Sequence, residues 1–217
     1  MADDASLRDR LRSIPTVAPT YPRFNTEAAP GEPMPLFLEW LDAAIEDGVP
    51  QPLSMSVATA TRDGHPSNRT LILKDADATS LWFAALSSGQ KGRDLAENPE
   101  VALVFYWGPQ GRQIRVVGRV EEGPRDVSRR DFLARTLNAR ARAIAGHQGE
   151  RLVDSEPEVA QARQLLQANP DFVPEDWVAY RVIPTCVEFW QAERERDQVR
   201  LRYLLVRERW VKDLLWP

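Results

Sequence analysis

The feature that most constrains this chain is the close succession of short, β-compatible runs between Ser54 and Glu121. Ser54–Ala60 (S-M-S-V-A-T-A) leads through an Asp63-Gly64 turn into Asn68–Lys74, and Leu81–Leu86 follows the polar turn Asp75–Ser80. Val101–Trp107 is almost continuously apolar, as a central strand would be, and Pro109–Gly111 turns the chain into Arg112–Glu121. There β-branched Ile114, Val116, Val117 and Val120 recur. Val178–Val182, Val187–Trp190, Leu201–Arg207 and Trp210–Leu214 read as further strands. Hairpins in such close order favour an antiparallel barrel or sandwich over a doubly wound sheet.

Helices are expected around these strands. Ala5–Ile14 places Leu7, Leu11 and Ile14 on one side, and Pro15 to Pro35 then form a proline-rich, extended arm. In Leu36–Asp47, Phe37, Trp40, Leu41, Ala44 and Ile45 fall at helical spacing ahead of Gly48. Ser88 is the expected cap of a helix starting at Gln90 and stopped by Asn98-Pro99. Ser128, with Asp131 three residues on, predicts one helix to Ala145, and Ser155 with Glu158 predicts another to Ala168. The expected fold is mainly β with added helices: one helix in front and two inserted before the last strands. Residues 1–33 read as an N-terminal arm, partly extended or mobile, and residues 34–217 as a single domain.

A net charge of −4 excludes a generally basic nucleic-acid surface. One cysteine, Cys186, allows neither an intrachain disulfide nor a thiolate metal cluster, and His65 and His147 are too few for a His-rich metal centre. No apolar run approaches the roughly 20 residues of a membrane span, and an acidic start without an apolar core predicts a cytoplasmic protein.

What chemistry remains is anion binding. Arg69 and Lys74 share a strand-like run, but their odd separation points them to opposite faces unless a bulge or strand end intervenes. From pattern alone each is equally a ligand contact or a solvated residue. Lys91 stands in the first turn of its helix, where a cation opposes the dipole and a bound phosphate would reverse that cost. Gln113 either reads a polar ring edge or faces water. Phe189-Trp190-Gln191 reads as core before cofactor contact, and Arg196 and Arg200 share a face of a charged run that also fits a solvated hairpin.

S-V-A-T-A-T-R-D-G-H-P-S-N-R-T-L-I-L-K, K-G-R-D-L-A-E-N-P-E-V-A-L-V-F-Y-W, G-R-Q-I-R-V-V-G, V-E-F-W-Q-A-E-R-E-R and the closing W-V-K-D-L-L-W-P resemble the pyridoxamine/pyridoxine 5′-phosphate oxidase family. The likeness runs from Pro35 to Pro217. It implies an FMN-binding split β-barrel, FMN as cofactor, and a homodimer with the flavin at the interface. By position it implies that Arg69, Lys74, Lys91, Gln113, Gln148, Trp190 and Arg200 bind FMN, with Gln90 where the family has an arginine and Gly149 where it has a serine. No metal is implied.

On the substrate side the resemblance assigns orienting roles to Lys74, Arg135 and Arg196, with Gln198 at a position where the family has histidine. Val199, Asp131 and Ala139 replace the family's aspartate, tyrosine and serine. These departures imply an FMN-dependent oxidase whose small anionic or aromatic substrate has diverged. Such an enzyme would transfer a hydride to FMN and pass the electrons to O2. Three alternatives stand beside it: a true pyridoxamine/pyridoxine 5′-phosphate oxidase making pyridoxal 5′-phosphate, a phenazine-type ring oxidase, which K-G-R-D-L-A-E-N-P also resembles, and a non-catalytic flavin or tetrapyrrole binding protein.

Overall fold

A computed structural model describes residues 6–14, 21–152, 154–193 and 198–216. In chain order the elements are α1 (Leu7–Ser13), α2 (Pro33–Glu46), β1 (Ser54–Ala60), β2 (Pro66–Ile72), β3 (Asp75–Ala76), β4 (Leu81–Leu86), α3 (Gln90–Glu97) and β5 (Glu100–Trp107). A 3-10 turn at Gly108–Gln110 leads to β6 (Arg112–Glu122), α4 (Arg125–Leu133), α5 (Leu137–Ala145), α6 (Glu156–Ala168), β7 (Trp177–Gln191), β8 (Val199–Val206) and β9 (Arg209–Leu214). The strand ladder runs β2-β1-β5-β6-β7-β4-β3, with β8 pairing both β7 and β9. Every pair whose register is described is antiparallel, β1 aligning Val57 with Arg69 and β4 aligning Phe83 with Tyr180. The antiparallel expectation holds.

Three details differ from the sequence reading. The helix expected from Ser128 to Ala145 is two, because Thr136 interrupts it and its hydroxyl accepts the Ala139 N–H to start α5. Ser128 caps nothing; it lies inside α4, where its hydroxyl accepts the Ala179 N–H. The two strands expected on either side of Pro184 are one, β7. Pro184 is accommodated because β6 offers Gly118 there: a Cβ on Gly118 would stand 2.3 Å from the Ile183 carbonyl oxygen.

The chain divides into two compact units. The first comprises residues 1–52, 106–114 and 188–217. Its core is aromatic: Trp40 of α2 takes Phe24 and Phe189 edge-on, and Phe189 meets Tyr203 at 5.8 Å. The buried Arg112 guanidinium lies 4.4 Å over the Trp40 ring and donates to Gln191 Oε1. Tyr203 donates to the Pro30 carbonyl and Lys212 to that of Ala29, so this part of the proline-rich arm is fastened by its backbone. Phe37 is fully buried, and Phe37→Ala is expected to cost roughly 3–5 kcal/mol. Urea unfolding reads this as a lower midpoint at unchanged slope; a midpoint within error of the parent would contradict the packing.

The second unit comprises residues 53–105 and 115–187. Leu86, Phe132 and Trp177 form one cluster, and α5 closes on α6 through Ala141, Val159, Ala162 and Leu166. The turn before β4 is organised by Asp77, which accepts from the Thr79 N–H and hydroxyl and from Ser80. Burial would raise its pKa, but those hydrogen bonds win and hold it at about 2.

Candidate active site

In the second unit the short helix α3 is the organising element. Its N-cap is Gly89 rather than the expected Ser88, whose hydroxyl instead donates to Asp176. Lys91 therefore falls in the first turn, is 5% exposed, and donates its ammonium to Gln148 Oε1 at 2.6 Å. Gln148 is presented by a turn in which Gly146, His147 and Gly149 all adopt positive φ, and Gly149 at +91° suits the place of the family's serine. Burial, and then the neighbouring Arg69, push the Lys91 pKa below its ordinary value. A buried cation beside a half-buried one is an unfavourable arrangement that an anion would relieve.

Arg69 is anchored on its sheet. Its guanidinium donates to the Val57 carbonyl and to the Thr59 and Ser67 hydroxyls, and stands 3.9 Å from Asp94. Asp94, 2% exposed, also accepts from Thr59 at 2.6 Å and from Gln90 Nε2 at 3.0 Å. Sequence reasoning missed Asp94. Its helical spacing of four from Gln90 was visible, but its partner Thr59 is 35 residues away.

Lys74 is not a strand residue. The strand ends at Ile72, and the Lys74 N–H donates to the Trp82 carbonyl. The odd separation from Arg69 thus loses its meaning. The Lys74 ammonium lies 3.4 Å from Asp131, whose other oxygen accepts from Trp177 Nε1 at 3.0 Å. Arg135 spreads its guanidinium 4.4 Å over the Trp177 ring, and its Nε is buried without a partner. Burial lowers the Arg135 pKa and Asp131 partly restores it.

Lys74, Lys91, Arg135 and Gln148 line one cavity of about 580 Å³ together with Arg142, Ala139, Leu71, Leu86 and Trp177. Among the described residues no carboxylate lines it. A second cavity of about 390 Å³, lined by Asp75, Asp77, Trp82, Arg130 and Asp131, shares Lys74 and Ala84 with it.

The remaining expected site residues lie in the first unit. Gln113 is half-buried on β6 next to Arg112. Trp190 donates its indole N–H to Gln198 at 3.0 Å, and Arg200 pairs with Glu188 at 2.7 Å. Arg196 lies outside the described residues.

A buried lysine at a helix start with an arginine near it, beside a roomy cavity with an apolar wall, suits a phosphate-bearing aromatic cofactor, and comparison with known proteins identifies the class. The pyridoxamine 5′-phosphate oxidase family model matches residues 41–173, and the pyridoxine 5′-phosphate oxidase C-terminal dimerisation region matches residues 177–217. A pyridoxine/pyridoxamine 5′-phosphate oxidase of Bordetella petrii is 37% identical over 194 residues, covering 88% of this chain and 92% of that protein. One of Trichormus variabilis is 37% identical over 180 residues, covering 81% and 84%. The structure of PhzG from Burkholderia lata, in complex with tetrahydrophenazine-1-carboxylic acid, superposes with a TM-score of 0.85 at 31% identity, covering 94% of this chain and all of that one. A Nostoc punctiforme FMN-binding protein shares the fold at a TM-score of 0.71 and 16% identity, covering 87% of this chain and 100% of its own. The fold is the FMN-binding split β-barrel with added helices, and the protein is an FMN-dependent oxidoreductase. This chain belongs to the pyridoxamine 5′-phosphate oxidase family, a homodimeric one.

Proposed function

We propose that the protein oxidises a reduced, planar ring compound carrying an acid group, as a phenazine-type oxidase does. The observation that carries this reading is the cavity whose described lining residues include four cations, no carboxylate and an apolar wall. Such a lining accepts a flat molecule with negative charge at its edge. It is supported by the ligand of the Burkholderia lata protein, a tricyclic carboxylic acid. When bound, FMN supplies the two-electron acceptor chemistry and its reoxidation by O2.

In this reading Lys91 and Arg69 hold the FMN phosphate, and the first turn of α3 adds free N–H groups. Gln148 fixes the Lys91 ammonium. Gln90 contributes through Asp94, since its amide is spent on that carboxylate. Gln113, Trp190 and Arg200 take the cofactor roles that the family resemblance gives them. Arg135 and Lys74 orient the substrate anion, Trp177 forms a flat wall for its ring, and Arg196 and Gln198 complete the substrate side. No side chain acts as a nucleophile; the protein excludes water and sets the ring's pose.

A second reading is oxidation of pyridoxine or pyridoxamine 5′-phosphate. It is favoured by the named activity of the relatives from Bordetella petrii and Trichormus variabilis and by the presence of Lys74 and Arg135. The purified protein should show a flavin visible spectrum. O2 uptake should be faster with a reduced phenazine carboxylic acid than with pyridoxamine 5′-phosphate. The opposite order selects the second reading, and a protein that neither holds nor takes up FMN defeats both.

A further inference from the structure

Asp131 is a carboxylate beside Lys74, one of the two cations on which an incoming substrate anion would rely, and it acts electrostatically on the other, Arg135. One oxygen is 3.4 Å from the Lys74 ammonium; the other accepts the Trp177 indole N–H. Its side chain is 14% exposed, so these two contacts hold it in place with little water to replace them. Arg135 feels the same carboxylate, which partly offsets the effect of burial on its pKa. It is also stacked on the very ring that Asp131 fixes. The group of Lys74, Arg135 and Asp131 therefore carries one net positive charge. Within it, Arg135 Nε is a buried donor without a partner.

We propose that Asp131, which lines the adjoining cavity and holds Lys74 and Trp177 of this one, is a specificity-determining residue that makes the Lys74–Arg135 end select a singly charged carboxylate over a dianionic phosphate monoester. The inference rests on the proposed substrate side of the cavity and goes beyond it by naming the residue and the charge it admits. One carboxylate balances the net charge of the group and gives Arg135 Nε its acceptor. A phosphate monoester near neutral pH carries close to two negative charges. It would bring the second against the Asp131 carboxylate, and like charges at such range in a partly desolvated site are strongly disfavoured. Ala139 on the same cavity wall offers no hydroxyl to compensate.

The test is Asp131→Asn, which keeps the shape and an acceptor for the Trp177 N–H while raising the group's net charge to two. Calorimetric titration of the purified FMN-loaded protein would compare pyridoxal 5′-phosphate with phenazine-1-carboxylate, neither of which needs to react. Pyridoxal 5′-phosphate should bind about tenfold tighter or better to the variant, while the carboxylate changes by less than about threefold. Lys74→Met, which lowers the net charge to zero, should weaken both ligands and the phosphate more. If Asp131→Asn fails to fold, Asp131→Ser, which removes the same charge, is titrated with the two ligands in its place. Equal shifts for the two ligands, or none, overturn the assignment of Asp131. Flavin content, read from the spectra of the same samples, tests the proposed function separately, because the ratio of the two affinities does not depend on turnover.

Discussion

Lys91→Met should raise the FMN dissociation constant about 10- to 100-fold, the worth of roughly 1.5–3 kcal/mol for a hydrogen bond to a charged group. Lys91 is nearly inaccessible, sits in the first turn of α3, and is held by Gln148 on one side with the Arg69 charge on the other. Burial and the helix dipole both disfavour a cation so placed, and a phosphate in contact with it offsets the burial cost by direct attraction and itself meets the favourable end of the dipole. Fluorescence titration of the flavin-free protein with FMN gives the number directly; an unchanged constant would remove Lys91 from the cofactor grip. The sign of the associated pH effect is fixed. The folded-state pKa of Lys91 lies below the 10.5 of the unfolded chain. The flavin-free protein therefore bears the penalty fully below the folded value, and its stability rises as pH climbs from there towards 10.5.

Gly92→Ala should be the most damaging single methyl in the molecule's cofactor region. A Cβ there would stand 2.2 Å from the Ser87 carbonyl oxygen and 2.4 Å from its Cα. Both are backbone atoms, so no side-chain rotation relieves the contact. The start of α3 must move away from the Ser87–Gly89 segment, taking Lys91 with it. About 3 kcal/mol of stability, the upper range for overpacking, and most FMN retention should be lost together. Gly31→Ala is the control, since a Cβ there meets nothing within 4 Å and should change stability by less than about 0.5 kcal/mol. Urea midpoints for the pair settle the matter, and a cost below about 1 kcal/mol for Gly92→Ala would show that the segment yields easily.

Much of this fold was legible because its signals are local. The Asp63-Gly64 turn, the Asn98-Pro99 stop and the β-branched run of Arg112–Glu121 each act within a few residues, and each appears where expected. What was misread depends on distant partners. Ser128 has the composition of a cap, but the hydroxyl is taken by Ala179, 51 residues on. Pro184 looks like a strand stop until Gly118, from another strand, makes room for it. The site divides in the same way. Lys91 could be favoured from its place in a helix start alone, Arg69, Lys74, Gln113, Trp190, Arg196 and Arg200 stood as even or weaker candidates by pattern, and the family resemblance added Gln148, Arg135 and Gln198. The engagement of Asp131 with Lys74 and Trp177 could not be read, since nothing in sequence spacing joins residues 74, 131 and 177.

The helices α4 and α5 are rich in arginine. Three of these arginines serve the loop that leads into β7. Arg125 donates to the carbonyls of Val173, Pro174, Glu175 and Trp177, Arg129 to that of Asp171, and Arg140 to those of Pro170 and Phe172. Every one of these acceptors is main chain, and a guanidinium keeps its charge at any pH a protein survives. The loop's path is thus fixed by the helices through its backbone, alongside the packing of its own Phe172 and Val173. Its exposed positions are free to drift through evolution without disturbing Trp177, which holds Asp131 and carries Arg135 on its ring.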